Sequence, residues 1–319
     1  MTLLQPSEQL KGETMVETPI VRQTQTKKVQ STLGLIAILF KLRIVFLLLL
    51  SAFGGAALGI ISGGQATAGR LWLLAITGTL SAAGASAINQ YLERDRDGKM
   101  KRTSKRPFVQ GDIKNPVYIF YLATAMVIGA SGIALLAGNL PLAFWLFAGA
   151  AIYVGVYTIW LKPRTSVNIV IGGAAGSCAV IAGGAAVGAQ WSVAVWLLAI
   201  MLFTWTPVHF WALALAYKED YRAGAYPMLP ALVSPKASAI WIAVHAVLTV
   251  VMALSIGLFP SFDWMMVTVM GVVSLPLVIK TISLLLQPER KEAFSLFHTS
   301  NLFLAAVLVA SMLSAIWRI

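Results

Sequence analysis

Apolar runs recur along this chain from residue 44 onwards, built of leucine, isoleucine, valine, alanine and glycine and broken by short polar stretches. Each run is about 20 residues long, enough for a helix to cross a hydrocarbon layer of ~30 Å. The pattern predicts nine spanning helices, at 44–64, 70–92, 116–137, 141–161, 167–188, 193–217, 237–258, 264–286 and 297–317. No stretch shows the short apolar–polar alternation of a transmembrane β-barrel. The expected fold is an all-α polytopic membrane protein, a bundle of nine transmembrane helices. Residues 1–31 are read as a mobile cytosolic tail, and 32–319 as a single intramembrane domain.

The breaks are of two kinds, and they alternate. Some are tight and nearly uncharged, such as GNLP at 138–141, GAQW at 188–191 and FPSFD at 259–263; others are long and charged. With the N-terminus in the cytosol, all of the 24 basic residues except Arg70 and Arg318 fall on one side. An excess of Lys and Arg on one side marks the cytoplasmic face. The expected topology is N-terminus in, C-terminus out.

Composition agrees with this reading. The chain is 58% hydrophobic and 11% charged, with a mean hydropathy of +0.80, whereas soluble domains average about 25% charged residues. The net charge of +12 therefore reports orientation, and no nucleic-acid partner is expected. Residues 1–30 lack the apolar core of a cleavable signal peptide, and Glu8, Glu13 and Glu17 argue against an organelle transit peptide. The lone Cys178 excludes an intramolecular disulfide and any multi-cysteine metal site. It lies among small residues, and packing accounts for it.

One stretch breaks the apolar pattern, INQYLERDRDGKMKRTSKRP at 88–107. Asn89, Glu93 and Asp97 are spaced i, i+4, i+8 and share one face of a helix, rising about 6 Å per step. A carboxamide and two carboxylates in a strip offer hard oxygen ligands to Mg²⁺, which commonly binds one or two carboxylates together with substrate phosphates. Asp95, rotated ~200° from Glu93, is expected to pair with nearby bases, and Gly98 to stop the helix. A second cluster, HFWALALAYKEDYRAGAYPMLP at 209–230, places Glu219 and Asp220 at the end of span six. Two acidic helix ends on one membrane face, each with bases, point to a shared metal–diphosphate site.

These strings, together with FTWTPV before the second cluster, LKPRTSVNIVIGGAAGS and FHTSNLFLA, resemble the protohaem IX farnesyltransferase (haem O synthase) branch of the UbiA-type intramembrane prenyltransferases. The resemblance runs from about Lys41 to the last span. It implies a bundle around a lateral, lipid-accessible cavity with both acidic motifs at its cytoplasmic mouth. The family pattern N-x-x-x-D-x-x-x-D maps onto Asn89, Glu93 and Asp97, with Glu in the middle place. Its second motif, D-x-x-x-D, lines up with Ala216 and Asp220, so the first acid is missing; either Glu219 substitutes for it or a second metal is held less fully. The family's K-P-R-I string appears as Lys41-Leu42-Arg43-Ile44, without the proline.

The implied reaction transfers a farnesyl group from farnesyl diphosphate to a vinyl group of haem b, a substrate here, with water addition, giving haem O for haem-copper oxidase biogenesis. Asn89, Glu93, Asp97 and Asp220 are the expected catalytic residues, and with Glu219 they form the expected Mg²⁺ set. Arg94, Arg102, Lys105, Arg106, Lys162, Arg164, Lys218 and Arg222 are the candidates to clamp the diphosphate. Tyr157, Trp160, Trp205, Phe210, Trp211, Tyr217 and Tyr221 compete to face the allylic cation, with ordinary packing as the alternative for each. Arg43 is the first choice for a haem propionate. His209 and His298 are candidates for haem binding or for plain packing, and His245 is the weaker third. The location implied is the plasma membrane of a prokaryote, among membrane lipid, with a downstream haem A synthase as a possible partner. A prenyltransferase for quinone precursors or chlorophyll is the rival within the class. An ion-coupled transporter is the rival outside it, but that reading needs acids near the midplane.

Overall fold

The computed structural model describes residues 31–259 and 263–317. The tail expected at 1–31 lies, but for Ser31, outside the described residues, as does Arg318. No strand occurs among the described residues, and nine helical spans are long and apolar enough to cross a membrane.

A short helix, α1 (Thr32–Leu39), precedes the first span, α2 (Leu42–Ile61). The second span, α3 (Ala68–Asp97), is followed by the single turn α4 (Pro107–Gln110) and the third span, α5 (Pro116–Leu136). Span four is α6 (Leu140–Ala151), continued by a π-helix over Ile152–Leu161, and span five is α7 (Asn168–Gly172) with α8 (Ala174–Ala186). After span six, α9 (Val193–Ala216), come α10 (Lys218–Ala223) and α11 (Leu229–Leu232). The last spans are α12 (Pro235–Ile256), α13 (Trp264–Leu286) and α14 (Arg290–Ile316). The order matches the expectation. Two spans are longer than their apolar runs: α3 carries five more residues, to Asp97, and α14 begins seven earlier, at Arg290. The added turns are rich in charged residues, which an apolar run does not register.

Side-chain caps start several spans. Thr67 accepts from Arg70 N, Asn139 from Leu142 N, Ser192 from Val195 N, Ser234 from Ala237 N and Asp263 from Met265 N, each satisfying an amide the helix cannot. Gly98 caps α3 at the expected place, but with φ −62 it remains right-handed and the chain turns on without a reversal.

Helices α2, α8 and α9 form the centre. One group, α3, α5 and α6, wraps one side of them, while α12, α13 and α14 wrap the other. Small residues let α2 and α8 touch: a Cβ placed on Gly183 would lie 1.7 Å from the Ala52 carbonyl oxygen, and one on Gly55 2.0 Å from that of Val180. At the ends opposite the acidic motifs, Trp72, Trp191, Trp264 and Trp317 are exposed, as expected of an interfacial aromatic belt.

Candidate functional site

Asn89, Glu93 and Asp97 stack on one face of α3 as their spacing requires, and that face is turned inward. Their exposures are 1%, 6% and 2%. Buried charges persist only when paired, and each member of the strip has a cation. Lys41 Nζ donates to Asn89 Oδ1 at 2.7 Å, Lys162 pairs with Glu93, and Arg106 pairs with Asp97 while standing 3.9 Å from Glu93. Asn89 Nδ2 donates to Thr158 Oγ1 at 3.0 Å. Thr158 in turn donates to the Tyr153 carbonyl at 2.7 Å.

Two local departures from ideal helix bring these partners in. Lys41 adopts a left-handed backbone, φ 49, a conformation that costs a non-glycine residue roughly 1–2 kcal/mol. The turn breaks α1 from α2 and sends the lysine into the site, where its ammonium is also 3.4 Å from Tyr153 Oη. The π-helix is the second departure, and such segments are rare and frequent at functional sites. Its wider turn sets Tyr153 and Tyr157 in a stack, centroids 5.8 Å apart, and leads directly to Lys162, whose ammonium lies 5.5 Å from the Tyr157 ring centre.

Electrostatics distinguish the two lysines. Burial, reinforced by Arg106, lowers Lys41 to about 7. Burial also opposes the charge on Lys162, but Glu93 beside it prevails and holds its pKa above the usual lysine value. Tyr226 completes this corner. Its ring lies between Lys162, 4.6 Å away, and Arg96, 5.3 Å away, and its buried hydroxyl has no hydrogen-bond partner. Burial pushes that phenol up, so it stays protonated and a donor.

The second motif contributes one acid and not two. Asp220 accepts from Arg102 N at 3.0 Å, tying the basic loop after α3 to α10, and Arg102 Nη2 stands 3.4 Å from Tyr221 Oη. Glu219 is exposed and paired with Arg222. Among the described residues no three acidic, His or Cys side chains converge on a common metal position.

Several of the expected clamp residues face elsewhere. Arg94, one helical step of ~100° from Glu93, donates to the Tyr91 carbonyl and lies over the Tyr91 ring; Asp95, as expected, is exposed beside it. Arg164 caps the carbonyls of Ile159 and Trp160, Lys218 donates to Val233 O, Arg222 Nε donates to Ala231 O, and Lys105 is exposed. Of the bases expected to clamp, Arg106, Lys162 and Arg102 are brought to the acids. Arg43 is exposed and not buried-side: it lies in the first turn of α2, beyond the left-handed Lys41. Lys41, Tyr153, Thr158 and Tyr226 are site residues the sequence reading missed. A lysine just ahead of an apolar run was the one available signal.

Below the acidic strip lies an apolar chamber of about 280 Å³ walled by α2, α3, α6, α8, α9 and α14. Tyr153 lines it at the acidic end. Of its hydroxyl-bearing walls, Ser51, Ser81 and Thr206 give their protons to the carbonyls of Leu47, Leu146 and Leu202. Trp205, His209 and Phe210 also line it. His209 is held between Trp205 and Phe297, at 4.6 and 4.5 Å between ring centres. Ser300 spends its proton on Phe297 O, so it accepts from His209 Nδ1–H and leaves Nε2 as the lone-pair nitrogen. Trp211 packs against His245 and Tyr217 against Phe294, both away from the chamber, while Trp160 and His298 are exposed.

Residues 47–307 match the UbiA prenyltransferase family. A protein of Sulfurisphaera tokodaii named protoheme IX farnesyltransferase is 39% identical over 273 residues, spanning 85% of this chain and 89% of that relative. A solved digeranylgeranylglyceryl phosphate synthase superposes with a TM-score of 0.72 at 16% identity, covering 89% of this chain and 99% of that one. A UbiA homolog from Archaeoglobus fulgidus, solved with DMAPP and Mg²⁺, superposes with a TM-score of 0.61 at 18% identity, covering 86% and 98%.

Proposed function

The chain belongs to the UbiA prenyltransferase family, and on that premise we propose that it transfers a farnesyl group from farnesyl diphosphate to a vinyl group of haem b, with addition of water, giving haem O and pyrophosphate. The observation that carries the transfer is the buried strip of Asn89, Glu93 and Asp97, met by Lys41, Lys162 and Arg106 above a predominantly apolar chamber. Lys41, Lys162 and Arg106 face two carboxylates and a carboxamide there, a basic lining suited to an anionic substrate. The choice of farnesyl and haem rests on the named relative.

The donor set fits a hard divalent cation, being all oxygen and drawn from a carboxamide and two carboxylates. Asn89, Glu93 and Asp97 would hold Mg²⁺, which supplies Lewis-acid charge to the departing pyrophosphate. Lys41, Lys162, Arg106 and Arg102 stabilise the same charge, and the Tyr226 hydroxyl is a ready donor to a phosphate oxygen. The bond from farnesyl C1 to oxygen breaks with its electron pair leaving on the diphosphate. The faces of Tyr153, Tyr157 and Trp205 stabilise the allylic cation. The vinyl π pair then forms the carbon–carbon bond, and water adds to the resulting cation with loss of a proton.

Purified protein with Mg²⁺, farnesyl diphosphate and haem b should yield a porphyrin of haem O mass and pyrophosphate. Prenylation of a hydroxybenzoate or naphthoate, with haem b untouched, would overturn the acceptor and leave the diphosphate site standing. The location we propose is the plasma membrane of a prokaryote with the acidic motifs facing the cytosol; a haem A synthase is the enzyme class that would take haem O onward. A periplasmic-type reporter fused after residue 319 should then be active, and activity of a cytosolic-type reporter there would reverse the orientation.

A further inference from the structure

Nothing in the local sequence accounts for the break at Lys41. The stretch ILFKLRI at 38–44 holds no glycine, proline or asparagine, and leucine, lysine and arginine favour a helix running on from α1 into α2. In such a helix the Ile38 and Leu39 carbonyls would accept from the amides of Leu42 and Arg43, four residues on. Gln90 of α3 supplies donors to both instead. Its Nε2 donates to Ile38 O at 2.8 Å and to Leu39 O at 2.7 Å. Two carbonyl acceptors fix which end of the carboxamide is nitrogen. Ile38 O also accepts from Lys41 N at 3.2 Å, which closes the turn. Gln90 is 1% exposed, and its Oε1 is buried without a hydrogen-bond partner. An apolar side chain of the same length would avoid that cost, so packing alone does not account for a glutamine there.

We infer that Gln90 is a positioning residue: by holding the end of α1 it imposes the left-handed turn that aims Lys41 at the acidic strip. This role presupposes the diphosphate site proposed above and adds to it a residue that acts through Lys41. Gln90 and Asn89 are neighbours on α3, and between them they hold both ends of one lysine. Gln90 fixes the main chain before it, and Asn89 Oδ1 accepts from its ammonium at 2.7 Å. With the α1 carbonyls satisfied from α3, Lys41 takes φ 49 and ψ 50. Helix α2 then starts afresh, the Lys41 carbonyl accepting from Val45 N at 3.1 Å. Without Gln90 the buried Leu39 carbonyl would lose its partner, a state that folded chains avoid, and a continuous helix is the nearest remedy. Leu39 packs with Ala87 and Ile88 of α3. In a continuous helix Lys41 would lie ~200° round from Leu39, on the side away from the strip.

Gln90→Met keeps the length of the side chain and removes both donors. Two readouts on the full-length protein in detergent with Mg²⁺ separate positioning from general damage. The first needs no catalysis: acetylation of Lys41 by an amine-reactive ester, followed by peptide mass. Pyrophosphate should protect Lys41 in wild type, and that protection should be lost in Gln90→Met. The second is a double-mutant cycle on kcat/KM for farnesyl diphosphate. Gln90→Met should lower it about tenfold, the scale of one hydrogen bond to a charged group. In a Lys41→Met background the same change should lower it no further, whereas a merely structural loss would add to that of Lys41→Met. Gln90→Glu, equal in length and without a donor as carboxylate, takes its place if Gln90→Met folds poorly. Absence of protection in wild type, protection that persists in the folded variants, or additive losses would overturn the role of Gln90. Protection that behaves as expected in a protein that leaves haem b unprenylated would instead overturn the acceptor and leave that role standing.

Discussion

Asp97→Asn should lower turnover by at least about a hundredfold, the scale at which a site loses one well-placed electrostatic group. The carboxylate is buried and paired with Arg106, so the substitution removes a metal ligand and also strands a guanidinium. Breaking one side of a buried pair costs about 3–5 kcal/mol, and lost stability must be separated from lost chemistry. The double variant Asp97→Asn with Arg106→Gln removes both charges and should recover thermal stability while activity stays absent. Asp95→Asn is the neighbouring control. That carboxylate is exposed and pairs with Arg94 at 3.8 Å, a surface pair worth little, so steady-state turnover should barely change. Full turnover of Asp97→Asn at saturating Mg²⁺ would remove Asp97 from the site.

Gly183→Val should abolish accumulation of folded protein, and Gly183→Ala should lower its melting temperature sharply. The reason lies in main chain and not in side chains. A Cβ at 183 would sit 1.7 Å from Ala52 O and 2.8 Å from Ala56 N, so α2 and α8 must separate to admit it. Overpacking against movable side chains already costs about 1–3 kcal/mol, and here no rotamer can give way. Ala52 and Ala182 flank this crossing and line the chamber, so the damage should extend to donor binding. Gly129→Ala is the matched control, since nothing lies within 4 Å of its added Cβ and alanine favours helix over glycine by about 1 kcal/mol. Equal melting temperatures for Gly183→Ala and Gly129→Ala, followed in detergent, would refute the close crossing.

By itself the sequence determined the number and order of the described spans, the acidic strip and its inward partners in part. Hydropathy is local, because a helix satisfies its own backbone in lipid, and the i, i+4, i+8 spacing puts Asn89, Glu93 and Asp97 on one face before any packing is known. The same helical geometry set Asp95 apart from them. Which bases meet the strip was not legible. Arg94 and Arg106 look equivalent in a list of charges, yet Arg94 turns to Tyr91 and Arg106 returns from a loop to Asp97. Arg43 looked better placed than Lys41 until one left-handed residue exchanged their directions. Tyr153 and Tyr226 belong to the site only because a π-turn and a second loop carry them there. The chamber lining is of the same kind: Leu74 and Leu146 lie 72 positions apart in the chain, each an ordinary apolar residue in its own span, yet both line the chamber. Their shared role exists only where two helices cross, and crossing depends on side-chain shape summed over partners distant in sequence, which no local pattern encodes.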